Sequence, residues 1–242
     1  VVTPSANVLS PSTMRMLRSS RWVGGLTAAE SALVFERVIE RTFEPGDWIA
    51  HAGDRVDHWT GIVEGFAKMS VASANGRVST LTGVCPGVWF GEGSVIKHEP
   101  RRYDVFALRR TRAVFLPRDV FVRLRDHSIA FNHFLQDLMN ARLSLFIGTL
   151  AHDRLLDTDA RVAYCLVSLF DTDLYPEADR HVRIGQSEVG LLANVSRQRA
   201  NVALQKLQQL GLLRVDRSGI TILDVDGLHR FADAGSEEAS PA

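Results

Sequence analysis

Residues 186–207 read QSEVGLLANVSRQRANVALQKL, and the middle of that stretch holds four side chains able to read nucleic acid: Arg197, Gln198, Arg199 and Asn201. Arginine can pair with the two acceptors of guanine, while glutamine and asparagine match the donor and acceptor of adenine. Such heads work when they project from the exposed start of a helix. Ser196 is a good N-cap for one, and Asn194 tolerates the positive φ that a tight turn before it requires. The spacing therefore predicts one helix from Gln186 and a second from Ser196. Val189, Ala193, Val195, Ala200 and Ala203 supply their apolar contact, and Gly190 the point of closest approach. After Gly211, LLRVDRSGITIL predicts a hairpin of two short strands turning at Asp216 to Gly219, in the position of a wing. Charge agrees locally: six basic residues stand against two acidic ones between Arg183 and Arg217, in a chain of formal net charge +0. A three-helix protein-binding module is the alternative use of the same pattern.

A second stretch, WFGEGSVIKHEPRRYD from Trp89 to Asp104, is a glycine-rich turn that ends in Pro-Arg-Arg. It lacks the third glycine of a dinucleotide fingerprint and the Gly-Lys-Ser/Thr of a P-loop. The chain has neither G-x-S-x-G nor His-Glu-x-x-His, so no enzymatic chemistry is expected. Cys85 and Cys165 lie far apart with no partner at zinc-ligand spacing, so neither a disulfide framework nor a metal site is expected, and both read as small core residues.

These stretches need elements to hold them, and 242 residues with 45 % hydrophobic content can bury a core in one large or two small domains. Residues 1–20, rich in Ser, Thr and Pro, read as a flexible leader, and residues 235–242 as a flexible tail. TAAESALVFERVIER, from Thr27, is helical by pattern. From about Phe43 to Leu116, short β-branched and aromatic runs alternate with Gly and Asp turn signals, among them an Asn-Gly hairpin turn at Ala74 to Arg77. That texture predicts a small β-sandwich or barrel. From about Ile129 the period becomes helical, and Leu135, Met139, Leu143, Phe146 and Leu150 draw a narrow apolar seam. Such a seam meets a copy of itself or lies against its own barrel. The longest nearly apolar run, LSLFIGTLA from Leu143, is too short to cross a bilayer, and the amino terminus has no signal-peptide pattern, so a cytoplasmic protein without a membrane partner is expected.

In this order, a barrel with FGE and a later Pro-Arg, a long helix and a winged helix-turn-helix, the chain resembles the Crp/Fnr family of bacterial transcription regulators from about Arg21 to Phe231. The resemblance implies an α+β fold. A double-stranded β-helix or jelly-roll barrel over residues 21–128 would bind an effector, a dimerisation helix over 129–157 would pair two subunits, and a winged helix-turn-helix over 158–234 would enter the major groove. It further implies a homodimer on a pseudo-palindromic DNA site, with RNA polymerase as a further partner. Ser196, Arg197, Gln198, Arg199 and Asn201 would form the DNA-reading surface. Gln198 stands where cyclic-AMP-responsive members usually have Glu, which implies a different operator. The amino-terminal cysteines of the Fnr branch are absent, and the scattered histidines give no support for haem.

For the barrel, the resemblance implies an effector site of Phe90, Gly91, Glu92, Gly93, Ser94, Arg101, Arg102, Tyr103, Arg142 and Phe146. Helix-start N–H groups and a guanidinium together make an anion site. Arg102 replaces the usual Ser or Thr after the arginine, so either Arg101 or Arg102 is the phosphate ligand. Phe146 and Ile147 fall where the cyclic AMP activator offers two hydroxyls to adenine. Two such losses weaken adenine recognition by about two orders of magnitude, at roughly 1–3 kcal/mol each. No cofactor is required, and a nucleotide-type effector other than cyclic AMP, such as a cyclic dinucleotide, is the candidate ligand. The alternatives are an internal salt-bridge set of Glu92, Arg101, Arg102 and Arg142 with no ligand, and a signalling module that acts through a protein partner.

Overall fold

The structure, a computed structural model, describes residues 9–73, 75–76, 78–155, 157–170, 174–175 and 180–237. The chain divides into two compact units, Val1–Leu138 and Met139–Ala242.

In the first unit, helices α1 (Pro11–Ser19), α2 (Arg21–Gly24) and α3 (Ala28–Arg37) precede strands β1 (Ile39–Phe43), β2 (Trp48–Ala50), β3 (His58–Glu64), β4 (Ala67–Ala72), β5 (Val78–Val84) and β6 (Trp89–Phe90). Helix α4 (Glu92–Lys97), strands β7 (Asp104–Ala107) and β8 (Thr111–Pro117), helix α5 (Arg118–His127) and the start of α6 (Ile129–Leu155) follow. The strands form two four-stranded antiparallel sheets, ordered β1-β8-β3-β6 and β2-β7-β4-β5. Burial alternates along β7 and β8, as expected of strands with one face inward. Ile62, Met69, Val105, Ala107, Ala113 and Leu116 fill the jelly-roll core. Asn75 and Gly76, in the turn between β4 and β5, sit in the expected hairpin, with Gly76 at φ 80° and Ala72 opposite Val78; Ala74 and Arg77 lie outside the described residues. A second core is aromatic. Trp22 of α2, Trp59 of β3 and Trp89 of β6 meet with ring centroids 4.4–5.2 Å apart, and Phe121 and Phe131 close over them.

Three expectations change in this unit. The leader, expected to be mobile over residues 1–20, contains α1. Ser10 caps that helix and Pro11 takes its first position, so the Ser-Pro pair marks a helix start rather than a loop. Met16 and Leu17 are buried; residues 1–8 lie outside the described set. The helix expected over TAAESALVFERVIER stops at Arg37, because Ile39–Phe43 pairs with β8. Leu135, expected in an intersubunit seam, is 4 % exposed and belongs to the core of its own unit.

A polar cluster fastens α1. The backbone N–H and hydroxyl of Ser10 donate to Glu40 Oε2 at 3.0 and 2.8 Å, Arg112 Nη1 donates to Ser12 Oγ at 2.8 Å, and Arg112 pairs with Glu40 at 3.5 Å. Partial burial pushes the Glu40 carboxyl upward, but donation from Thr13 and Ser10 and the Arg112 charge outweigh it and hold the group below its ordinary value. A depressed carboxylate contributes stability above its unfolded pKa and loses it as pH falls through the folded value. Amide protection factors across residues 9–20 are therefore expected to fall below the usual carboxylate range in the wild type. Glu40→Gln should show the lower protection already at pH 7; equal protection at pH 7 would exclude this fastening.

In the second unit, the rest of α6 leads to α7 (Thr158–Ser168), β9 (His181–Val182), α8 (Gln186–Leu192), α9 (Arg197–Gln209), β10 (Leu213–Asp216), β11 (Gly219–Ile222) and α10 (Val225–Glu237). Asp157 caps α7 by accepting from Ala160 N at 2.8 Å. Strands β10, β11 and β9 form a small antiparallel sheet, and Val162, Leu166, Val189, Leu204, Leu207, Ile220 and Leu228 pack under it and the helices. Helix α10 continues to Glu237, so the expected tail begins later than residue 235, and residues 238–242 lie outside the described set. Cys85 and Cys165 are not joined in a disulfide and each residue is half-buried; burial of the Cys165 thiol pushes it up to about 12, as expected of a small core residue. Among the described residues no helix is long and apolar enough to cross a membrane, and no group of three His, Cys, Asp or Glu could hold a metal.

Candidate nucleic-acid interface and effector site

The turn between α8 and α9 is built from the residues that the spacing singled out. Asn194 has φ 52°, and Val195 N donates back to Gly190 O at 2.8 Å. A Cβ at Gly190 would stand 3.0 Å from the Val195 carbonyl, so the two backbones meet closely and a side chain there would have to push the turn aside. Ser196 caps α9, its hydroxyl accepting from Arg199 N at 3.2 Å. Ala200, Ala203, Leu204 and Leu207 point into the core, while Ser196, Arg197, Gln198 and Arg199 are exposed and Asn201 is half-buried. The N–H groups of the first turn that Ser196 leaves uncapped add a partial positive charge to the two guanidiniums. This surface can bind phosphate and present planar donors to base edges.

The hairpin of β10 and β11 stands next to it in sequence, with Leu213 paired to Ile222 and Asp216 to Gly219. Asp216 accepts from the backbone and hydroxyl of Ser218, and His181 contacts Thr221 Oγ1 at 2.9 Å and Ser218 Oγ at 3.3 Å. The Ser218 hydrogen bonds hold the Asp216 carboxyl below its usual range. The tip of the wing is thus tied down beside Arg214 and Arg217.

Sequence reading passed over two kinds of residue here. Val202, 48 % exposed, and the exposed Gln205 share the outward face of α9 with Gln198; helical spacing from Gln198 could have found them. Arg161 of α7 could not be found that way. Its Nη2 donates to the carbonyls of Ala193 and Asn194 at 2.9 and 3.0 Å, across more than thirty residues, and so satisfies the end of α8 and the turn together.

In the first unit, Phe90, Gly91, Arg101 and Tyr103 come together. Gly91 caps α4 at φ 95°, and a Cβ there would stand 3.1 Å from Arg101 Nη1. Arg101, 7 % exposed, lies 5.5 Å over the Phe90 ring and 5.4 Å over that of Tyr103, and its Nη1 reaches the Tyr103 hydroxyl at 3.4 Å. The backbone fixes it there: Arg101 N donates to Asp54 O at 2.9 Å and Gly53 N to Arg101 O at 2.8 Å. Glu92 and Ser94 are buried in the first turn of α4, beside the half-buried Gly93. The neighbouring Arg102 points the other way, with its side chain 75 % exposed and paired with Glu99 at 3.2 Å. The geometry separates the two arginines, one turned inward over Gly91 and one turned to solvent. Arg142 and Phe146, both half-buried, lie on α6 in the second unit.

Comparison with known proteins agrees with this division. Residues 40–128 match the cyclic nucleotide-binding domain family, and residues 160–231 match the Crp-like helix-turn-helix domain family. The CRP-like cAMP-activated global transcriptional regulator of Mycobacterium tuberculosis is 26 % identical over 193 residues, which cover 78 % of this chain and 86 % of the relative. Among solved structures, FixK2 from Bradyrhizobium japonicum superposes with a TM-score of 0.66 at 18 % identity, covering 80 % of this chain and 96 % of that one. The c-di-GMP responsive global regulator CLP of Xanthomonas campestris superposes with a TM-score of 0.57 at 18 % identity, over 81 % and 99 % of the two chains. With an effector-type barrel followed by a Crp-like winged helix-turn-helix, the chain belongs to the Crp/Fnr family of DNA-binding transcription regulators.

Proposed function

We propose that this protein is a homodimeric, sequence-specific DNA-binding regulator whose barrel takes a phosphate-bearing effector. The observation that carries the DNA reading is the Ser196-capped start of α9, which presents Arg197, Gln198 and Arg199 to solvent. Two such helices about one DNA turn apart fit a pseudo-palindromic site. Val202 would add an apolar contact of the kind that favours a thymine methyl. Pairing of subunits is supported by α6. Met139, Leu143, Ile147 and Leu150 are 49–60 % exposed and follow one another at seam spacing, with Phe146 half-buried beside them.

Arg101 is the anion ligand in this reading, because a guanidinium that lies over the Phe90 and Tyr103 rings and whose backbone is fixed is preorganised to meet a phosphate. Arg102 would add positive charge at the rim. The M. tuberculosis relative is named for activation by cAMP and the X. campestris protein for its response to c-di-GMP. With apolar Phe146 and Ile147 in place of two hydroxyls, the cyclic dinucleotide is the better match. Calorimetric titration with cyclic AMP, cyclic GMP and cyclic di-GMP tests this. Saturable binding of one ligand, lost in Arg101→Ala, is expected. The absence of heat with all three would leave the barrel without a nucleotide effector. Binding to duplex DNA with a salt slope of several units supports the DNA reading, and the lack of such binding would favour action through a protein partner.

A further inference from the structure

Gly148 lies in the interior of α6, where glycine is destabilising relative to alanine, so its place there needs a reason in packing. That reason is Tyr164 of α7. A Cβ on Gly148 would overlap the Tyr164 hydroxyl and stand 3.0 Å from its Cζ. The hydroxyl reaches the Leu145 carbonyl at 3.5 Å, an oxygen that also accepts from Thr149 Oγ1 at 2.9 Å. The phenol is seated in a notch one residue wide on the long helix. Toward its amino end, α7 holds the helix-turn-helix instead: Arg161 grips the Ala193 and Asn194 carbonyls, and Asp159 pairs with Lys206 of α9 at 2.8 Å. Ala160, Val162, Ala163, Leu166 and Val167 of the same helix are buried, so α7 is packed to move as one piece.

We propose that the seat of Tyr164 on Gly148 fixes α7 against α6 and, through Arg161 and Asp159, sets the direction in which α9 presents Arg197 and Gln198. Tyr164, Gly148, Arg161 and Asp159 are positioning residues. The inference rests on the reading of α9 as the DNA-contacting helix.

The test uses the full chain and a duplex selected from random sequence by the wild type, at fixed salt. Gly148→Ala is expected to lower affinity about tenfold, and Tyr164→Ala about threefold. The double variant should bind like Tyr164→Ala alone, because removing the phenol removes the overlap that the new methyl creates. The thermal midpoint of each variant is read beside its affinity, because a merely structural role would lower both together, whereas a positioning role lowers affinity in protein that is fully folded at the assay temperature. Wild-type affinity in Gly148→Ala, or losses that simply multiply, would overturn the proposal. Should Gly148→Ala not fold, wild-type affinity in a folded Tyr164→Ala would overturn it as well. Arg197→Ala is run alongside. If that variant also binds like the wild type, the reading of α9 has failed rather than the seat on α6.

Discussion

Arg197→Ala is expected to weaken binding to a selected duplex by about 10- to 100-fold per half-site, the equivalent of roughly 1–3 kcal/mol for one bidentate base contact. The residue is exposed in the first turn of α9, and among the described residues its guanidinium has no ion-pair or hydrogen-bond partner. Thermal stability should not change, since surface positions of this kind are usually neutral to within about 0.5 kcal/mol. Selectivity is the sharper readout. Repeating the selection with the variant should relax one base pair in each half-site and leave the others as they were. Arg217→Ala in the wing would behave differently if it touches only phosphate: all sequences would weaken alike, and the salt slope would shrink by about one. If Arg197→Ala bound the selected duplex as tightly as the wild type at the same salt, the first turn of α9 would not be the reading surface.

The largest loss of stability is expected from Trp59→Ala. Trp59 is fully buried and touches Trp22 at 5.2 Å, Trp89 at 4.4 Å, Phe121 at 5.4 Å and Phe131 at 5.8 Å between ring centroids. Removing it costs about 3–5 kcal/mol, since the lost transfer energy is joined by a cavity that rigid aromatic neighbours do not close. That is a large part of the roughly 5–15 kcal/mol that holds a typical domain together. Because the barrel and the DNA-binding module are separate compact units, denaturant should shift the barrel transition alone, read by far-UV circular dichroism and by proteolysis of each unit. Trp48→Ala is the control, because Trp48 is 46 % exposed. A shift in Trp59→Ala no larger than that of the control would mean that the cluster is not the barrel's organising core. Trp89 directly precedes Phe90 and Gly91, so a loosened cluster should also weaken any ligand held by Arg101.

The sequence by itself determined the helix-turn-helix. Its signals are local: an N-cap at Ser196, a positive-φ residue at Asn194, a small residue at Gly190, and apolar positions that recur at helical spacing, all within about one helical hairpin of each other. The chain order of barrel, long helix and wing was legible for the same reason, since period and turn chemistry are set by neighbours in sequence. The α1 helix was misread because Ser and Pro serve loops and helix starts alike, and only the burial of Met16 and Leu17 distinguishes them. Tertiary structure alone decided the rest. Leu135 has the same apolar type and spacing as Met139, yet one is closed into a core and the other faces solvent, which depends on the surface that each meets. Arg101 and Arg102 are equal as sequence; the register of a loop pinned by Gly53 and Asp54 turns one inward and the other out. Arg161 reaches a turn more than thirty residues away, and Tyr164 fits a notch at Gly148. Contacts of that kind depend on how elements pack, and no periodicity along the chain encodes them.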